Sequence, residues 1–480
     1  MKKENSRKAL SLFLVALMAL AIIPLLATPV EGANDVSSMP VPPEEEVVTT
    51  WYSQDGSLPE PFVRRTYGPL ETELVRGPSH NSSIVYVVIN STLWASGGID
   101  LQNRIFRFHD DVEATGLSVY SYLLYSGGPE DIRSWLASVG GLVGCVLIGN
   151  IPTAWYQMFH DPPWDTSTYE EFPIDLFYMD LDGSWSDGWT GPWPGPPTPK
   201  TPGADGMYDG HTGDVGPEIW IGRIKADNMA DPEVDLITNY FDKNHDYRTG
   251  SLTLPQRALV YVDDDWTPGT DVWNAVKKAY SDSMLVNDKN TTKKSDYVNR
   301  LDDQWSWVHL MSHGNPGGHI FKILNATGDS VFEGVSMIWN DYRTGDYPVL
   351  FYNLFVCSGA RFTSQNYLGG WCIFAPTYGL AAIGSTKTGS MQYDSDFYDP
   401  LGDGKTLGDA FKDWVDKTAE KDRPWFYGMA VVGDPTLRAT GKHLMTINTL
   451  GLDSATGIVH YTKDGVAKTG DISGGTWSDE

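Results

Sequence analysis

Two side chains stand where this sequence could do chemistry. His313 follows the apolar run of "WVHLMSHG", and Cys357 ends the apolar run of "VLFYNLFVCSG". A thiol and an imidazole make a nucleophile and base when the ring can take up the thiol's proton and backbone N–H groups can hold the oxyanion. Glycine follows closely in both cases, Gly314 and Gly359, and lets a substrate backbone approach. The amides of Gly314 and Cys357 are therefore the expected oxyanion donors. Either residue alone could be a core side chain closing a buried strand. Two such strand ends in succession favour catalysis. Ser385, Thr386 and Met391 follow the next apolar strand, "GLAAIGS", and are expected to line one wall of the substrate pocket. Cys145 and Cys372 lie inside apolar runs and read as core, and His309 and His319 read as structural.

The elements that must deliver these groups alternate. From Ser83 the order is strand "SIVYVVI", helix Ile99 to Thr115, strand "LSVYSYLLY", helix "PEDIRSWLASV" and strand "LVGCVLIGN". After a long loop come "EIWIGRI" and a helix from Asp231 to about His245. The rhythm restarts with "ALVYVDDD", a helix from Asp271, "SMLVN", a helix from Lys293, "WSWVHLM", "VLFYNLFV", "GLAAIGS" and a helix from Leu407. Such alternation predicts an α/β fold with a mainly parallel sheet, or two sheets, covered by helices. Catalytic groups then gather outside the carboxyl ends of strands. The expected division is a signal peptide over 1–33, a pro-segment or linker over 34–80, an N-terminal α/β subdomain over 81–245, a catalytic subdomain over 246–440 and the start of a β-rich module over 441–480. That last stretch alternates around glycine turns and predicts antiparallel strands.

The first 33 residues show a basic start, an apolar run from Ala9 to Ala27 and a small-residue end, the grammar of secretory export. The expectation is an extracellular protein, with a retained N-terminal tether and cell-surface attachment as the alternative. The formal charge is −27 over 480 residues, which disfavours nucleic acid and anionic lipid as partners. Three cysteines cannot make a disulfide scaffold. Acidic loops offer Asp180, Asp182 and Asp187, then Asp205, Asp209 and Asp214, then Asp263 to Asp265. Alternating aspartate and glycine suits structural calcium, which takes several oxygen ligands. No organic cofactor is implied.

With these motifs in view, the sequence resembles the gingipain-type cysteine peptidases, in the wider group that includes caspases, clostripain and legumain. The resemblance rests on "WVHLMSHG" and "LFYNLFVCSG", and more specifically on "PEIWIGRI" (217 to 224), "AAIGSTKTGSM" (381 to 391) and "VVGDPTLRA" (431 to 439). It spans about residues 83 to 440 in the family's order. It implies a caspase-like fold in two subdomains and a secreted cysteine endopeptidase, made as a precursor and acting on proteins or peptides. It further implies His313 as general base and acid, Cys357 as nucleophile forming a thioester acyl-enzyme, and Glu218 as the acid near the histidine. Cleavage after Arg or Lys follows, with Asp231 in the place of the pocket acid, although Asp231 also reads as a helix N-cap. Self-cleavage at Arg65 or Arg76 would release the pro-segment. One departure is Val356, where the family usually has a small residue.

Two other classes fit the same residues. A transpeptidase or sorting enzyme would pass the acyl group to an amine, which product mass would show. A non-catalytic adhesion protein would draw on "WTGPWPGPP" and the β-like tail, and its Cys357 would not react with a peptidyl electrophile.

Overall fold

The computed structural model describes residues 60–159, 169–189, 203–418 and 423–440, and four strands within 445–479. The expected signal peptide, residues 34–59 and most of the Trp-rich loop "WTGPWPGPP" lie outside the described residues.

Eleven strands form one large sheet. In chain order they are β1 Glu71–Arg76, β2 Ile84–Asn90, β3 Ser118–Ser126, β4 Leu142–Ile148, β5 Trp220–Ile224, β6 Arg257–Val262, β7 Asp282–Val286, β8 Trp305–Met311, β9 Val349–Phe355, β10 Ala381–Ser385 and β11 Met429–Gly433. Their spatial order is β1-β3-β2-β4-β5-β11-β10-β9-β8-β6-β7. The continuous apolar runs reflect burial on both faces. In β2, Val85, Val87 and Ile89 enter one core while Tyr86 and Val88 enter the other.

Neighbouring strands are parallel except at two places: β1 runs antiparallel to β3, and β10 runs antiparallel to β11. The second reversal divides the sheet into halves of opposite polarity, so the two expected α/β units are halves of one sheet. It also aligns the carboxyl ends of β10, β9, β8 and β6 with the start of β5, because Ser385 pairs with Met429 while Val432 pairs with Arg223. Chain order is broken by β11, which returns from beyond residue 428 to lie between the halves.

The stretch expected as linker up to residue 80 contains β1. This edge strand, "ETELVR", is half exposed and lacks the apolar alternation that marks an interior strand. Its Arg76 pairs with Asp110. Within 445–479, Met445–Asn448 pairs with Thr476–Asp479 and Gly457–Lys463 with Val466–Ile472, both antiparallel.

Candidate active site

Three parallel neighbours end in register. Val262 of β6 pairs with Met311 of β8, and Met311 pairs with Phe355 of β9. Two residues beyond the pair in β8 and β9 stand His313 and Cys357, and three residues beyond Val262 stands Asp265. Strand spacing of about 4.8 Å brings such positions together at one edge. Asp265 Oδ2 lies 2.6 Å from His313 Nε2. Indole and phenyl rings hold the imidazole, with Trp266 at 4.4 Å and Phe332 edge-on at 5.3 Å between centroids. A side chain on Gly314 would come within 2.5 Å of Val356 Cγ1, so the missing Cβ lets the histidine segment pack on the cysteine segment. This contact also accommodates the larger residue before Cys357.

Cys357 is half-buried as a residue, and desolvation of its thiol pushes it up to about 11. At neutral pH the resting pair therefore holds a thiol. The backbone of Gly389 hydrogen-bonds the sulfur and opposes that rise, as does the Lys387 charge, while the Glu170 charge adds to it. Gly389 has φ +141°, and a Cβ there would meet the Trp425 carbonyl at 2.4 Å. Ser358, after the cysteine, takes φ +58° and donates its amide to the Lys387 carbonyl at 2.8 Å. A non-glycine residue in that region is strained and held by its surroundings. Burial and the two hydrogen bonds act oppositely on Asp265: burial alone would lift its carboxyl, but His313 and Lys322 overcome this and hold it below the ordinary range.

Several expected residues are elsewhere. Glu218 does not orient the histidine. It precedes β5, four strand steps from β8, which is about 19 Å at ordinary strand spacing. Its carboxylate accepts the Leu181 amide at 2.6 Å and is raised by burial. Asp231 is engaged by Arg343 through two hydrogen bonds of 2.8 and 2.6 Å, which hold it low. It is not the N-cap either, since the helix runs Glu233–Thr249 with Pro232 at the cap. Ser385, Thr386 and Met391 are all buried. Thr386 donates to the Pro173 carbonyl at 2.6 Å, and the Met391 sulfur accepts from Asn353 at 3.1 Å. The part of this wall that touches the thiol is Gly389.

Among the expected metal ligands, most serve turns. Asp187 accepts the amides of Asp205 and Gly206, Asp209 that of Gly188, and Asp205 that of Met207. Asp214 accepts the Gly216 amide at 3.4 Å. Asp180 and Asp182 do converge, together with Glu218, with one oxygen from each within 4.8 Å of the others. Such an all-oxygen trio suits a hard cation, although Asp180 also binds His211. The third acidic run, Asp263 to Asp265, does not converge among the described residues, and its last member bonds the histidine. Its place at the carboxyl end of a parallel strand was the available signal.

Farther back along β8 lies a buried polar group. The Tyr398 hydroxyl meets His309 Nδ1 at 2.7 Å and Trp307 Nε1 at 2.9 Å. Burial lowers His309 to about 3 and raises nearby Asp394 to about 7. A carboxyl whose folded value is raised keeps its proton in the fold more tightly than in the unfolded chain, so stability falls as pH rises from about 4 through 7. Asp394→Asn is expected to add on the order of 2 kcal/mol at pH 8 and little at pH 4.5. Thermal unfolding at the two pH values checks this; an equal gain at both would contradict it.

The fold, a large mainly parallel sheet with helices, is caspase-like. Residues 79–440 match the family model of peptidase family C25, more than half of the chain, and the chain belongs to that family. It is a cysteine endopeptidase. Among solved structures it is similar to the Arg-specific cysteine proteinase gingipain R (RgpB), with TM-score 0.52 and 16% identity over 85% of this chain and 92% of that one. A structure described only as a protease gives 0.51 and 14% over 84% and 92%. The complex of Porphyromonas gingivalis RgpB pro- and mature domains gives 0.50 and 14% over 82% and 92%. No curated protein matches the sequence.

Proposed function

We propose that this family C25 peptidase works through Cys357, His313 and Asp265. The observation that carries the reading is the common register of β6, β8 and β9, which brings an acid, a base and a thiol to adjacent strand ends. In the proposed cycle, His313 Nδ1 takes the Cys357 proton as the sulfur attacks the scissile carbonyl. The oxyanion is held by the amides of Gly314 and Cys357. The imidazolium, stabilised by Asp265, then gives its proton to the leaving amine, and a thioester remains. Water, activated by the same imidazole, releases the acid and restores the thiol.

Export and precursor processing belong to the same reading. Secretion rests on the N-terminal sequence. Support for a processed precursor comes from residues 60–65. Glu60 offers its carbonyl to Arg361 at 3.0 Å, only four residues past Cys357, and Phe62 donates its amide to Glu171 at 2.7 Å. The Phe62 ring packs on Trp155 at 5.5 Å. Beyond them, Arg64 and Arg65 are exposed and outside any helix or strand. Cleavage at Arg65 is accordingly favoured over Arg76, whose removal would break an edge strand.

Cleavage after Arg or Lys rests on the likeness to an Arg-specific gingipain and not on Asp231. Calcium at Asp180, Asp182 and Glu218 would supply a structural cross-link between loops. A panel of fluorogenic peptides ending in Arg, Lys, Asn, Asp or Leu, read with calcium and with chelator, tests these points together. The expected result is turnover of the Arg and Lys peptides, with a lower melting temperature under chelator. Preference for Asn, Asp or Leu would overturn the basic specificity.

A further inference from the structure

The hairpin after the histidine, Lys322–Leu324 paired with Ser330–Phe332, touches each of the three consecutive aspartates at the end of β6. The Lys322 amide donates to both Asp263 oxygens at 3.0 and 3.1 Å. Ser330 donates its hydroxyl to Asp264. The Lys322 ammonium lies 2.5 Å from Asp265 Oδ2, the same oxygen that holds His313 Nε2 at 2.6 Å. Both partners of this ion pair are largely withdrawn from water, at 13% and 10% side-chain exposure, so solvent screens it less than a surface pair. Across the hairpin from Lys322 stands Phe332, whose ring meets the imidazole edge-on.

We propose that Lys322 is a positioning residue that sets the basicity of His313 through the shared oxygen of Asp265. This rests on the reading of Cys357 and His313 as nucleophile and base. A carboxylate that faces only an imidazole favours the imidazolium strongly. A second cation on the same oxygen takes part of that interaction and also repels the positive ring, so it lowers the pH at which His313 becomes a neutral base. The other groups around the ring do not replace it: Trp266 and Phe332 are uncharged, Asp263 and Asp264 are turned to the hairpin, and Cys357 is held as a thiol by burial. With the thiol protonated at rest, the acid limb of kcat/KM reports the loss of the His313 proton.

The pH profile of kcat/KM is the test. Lys322→Met keeps the aliphatic stem and removes the charge, and it is expected to move the acid limb up by about one pH unit, a roughly tenfold loss well below the limb relative to pH 8. Lys322→Arg should bring the limb back. Ser330→Ala loosens the hairpin without changing charge and should leave the limb in place. A loss that is uniform across pH, or an equal shift in Ser330→Ala, would overturn the proposal in favour of a purely structural hairpin. An NMR titration of His313 in the Cys357→Ala background, with and without Lys322→Met, separates the proposal from the reading beneath it. A shifted titration, with the unaltered Cys357 protein inactive on every peptide, would sink the catalytic reading and keep the tuning. An unshifted titration would sink the tuning whatever the activity.

Discussion

Cys357→Ala is expected to lower kcat/KM on any peptide substrate by at least about 10⁴-fold and to leave the N-terminal segment uncut. Removing the nucleophile of a covalent mechanism leaves only the contribution of binding and oxyanion stabilisation. The substitution should be well tolerated by the fold, because the position is partly exposed and Ser358 and Gly389, which shape the loop, act through their backbones. Activity assays, intact mass of the purified chain and a thermal melt suffice. Turnover within tenfold of the unaltered protein would mean that the chemistry lies elsewhere. Loss of hydrolysis with processing intact would keep the peptidase and remove only the self-cleavage.

The second large effect concerns Asp265. Asp265→Asn is expected to reduce kcat by about 10²- to 10³-fold with a smaller change in KM, since an amide can neither stabilise the imidazolium nor fix the tautomer that leaves Nδ1 available. Glu218→Gln should change kcat by less than about threefold, because its strand lies four steps away across the sheet. The pair of variants thus separates the two candidate acids by their kcat values. A large loss in Glu218→Gln with activity retained in Asp265→Asn would reverse the assignment and require the edge of the sheet to be organised differently. Lys322 adds a condition: freed of its partner, its ammonium would lie beside a neutral amide, so the acid limb in Asp265→Asn should also move down in pH.

The strand-end positions of His313 and Cys357 were legible because each follows a continuous apolar run that only a strand buried on both faces needs, and each is followed closely by glycine. The carboxylate that pairs with His313, Asp265, was not legible, for a reason of topology. Sequence order puts "PEIWIGRI" and "ALVYVDDD" equally in front of the histidine, and nothing local says which strand becomes the neighbour of β8. The returning strand β11 and its neighbour β10, with β9, place β5 far from β8, whereas β6 pairs with β8 directly. Which acidic loops converge was not legible, because aspartate and glycine in a loop serve cation binding and amide-capping turns equally well. Asp187 and Asp209 took the second role, while Asp180 and Asp182 found a third carboxylate in Glu218, which sequence reasoning had placed by the histidine. Asp231 shows the same limit at long range, for its partner Arg343 lies 112 positions away. The edge strand β1 was missed because an exposed edge needs no apolar alternation.

The central claim is that Cys357 is a nucleophile activated at this strand edge. The most direct measurement is covalent labelling with a peptidyl-arginine electrophile, read by mass spectrometry of the digested protein, beside His313→Ala. One adduct on Cys357, formed slowly or not at all in His313→Ala, with the buried Cys145 and Cys372 unlabelled, is the predicted result. A folded, processed protein whose Cys357 stays unlabelled, or labels equally fast without His313, would contradict it.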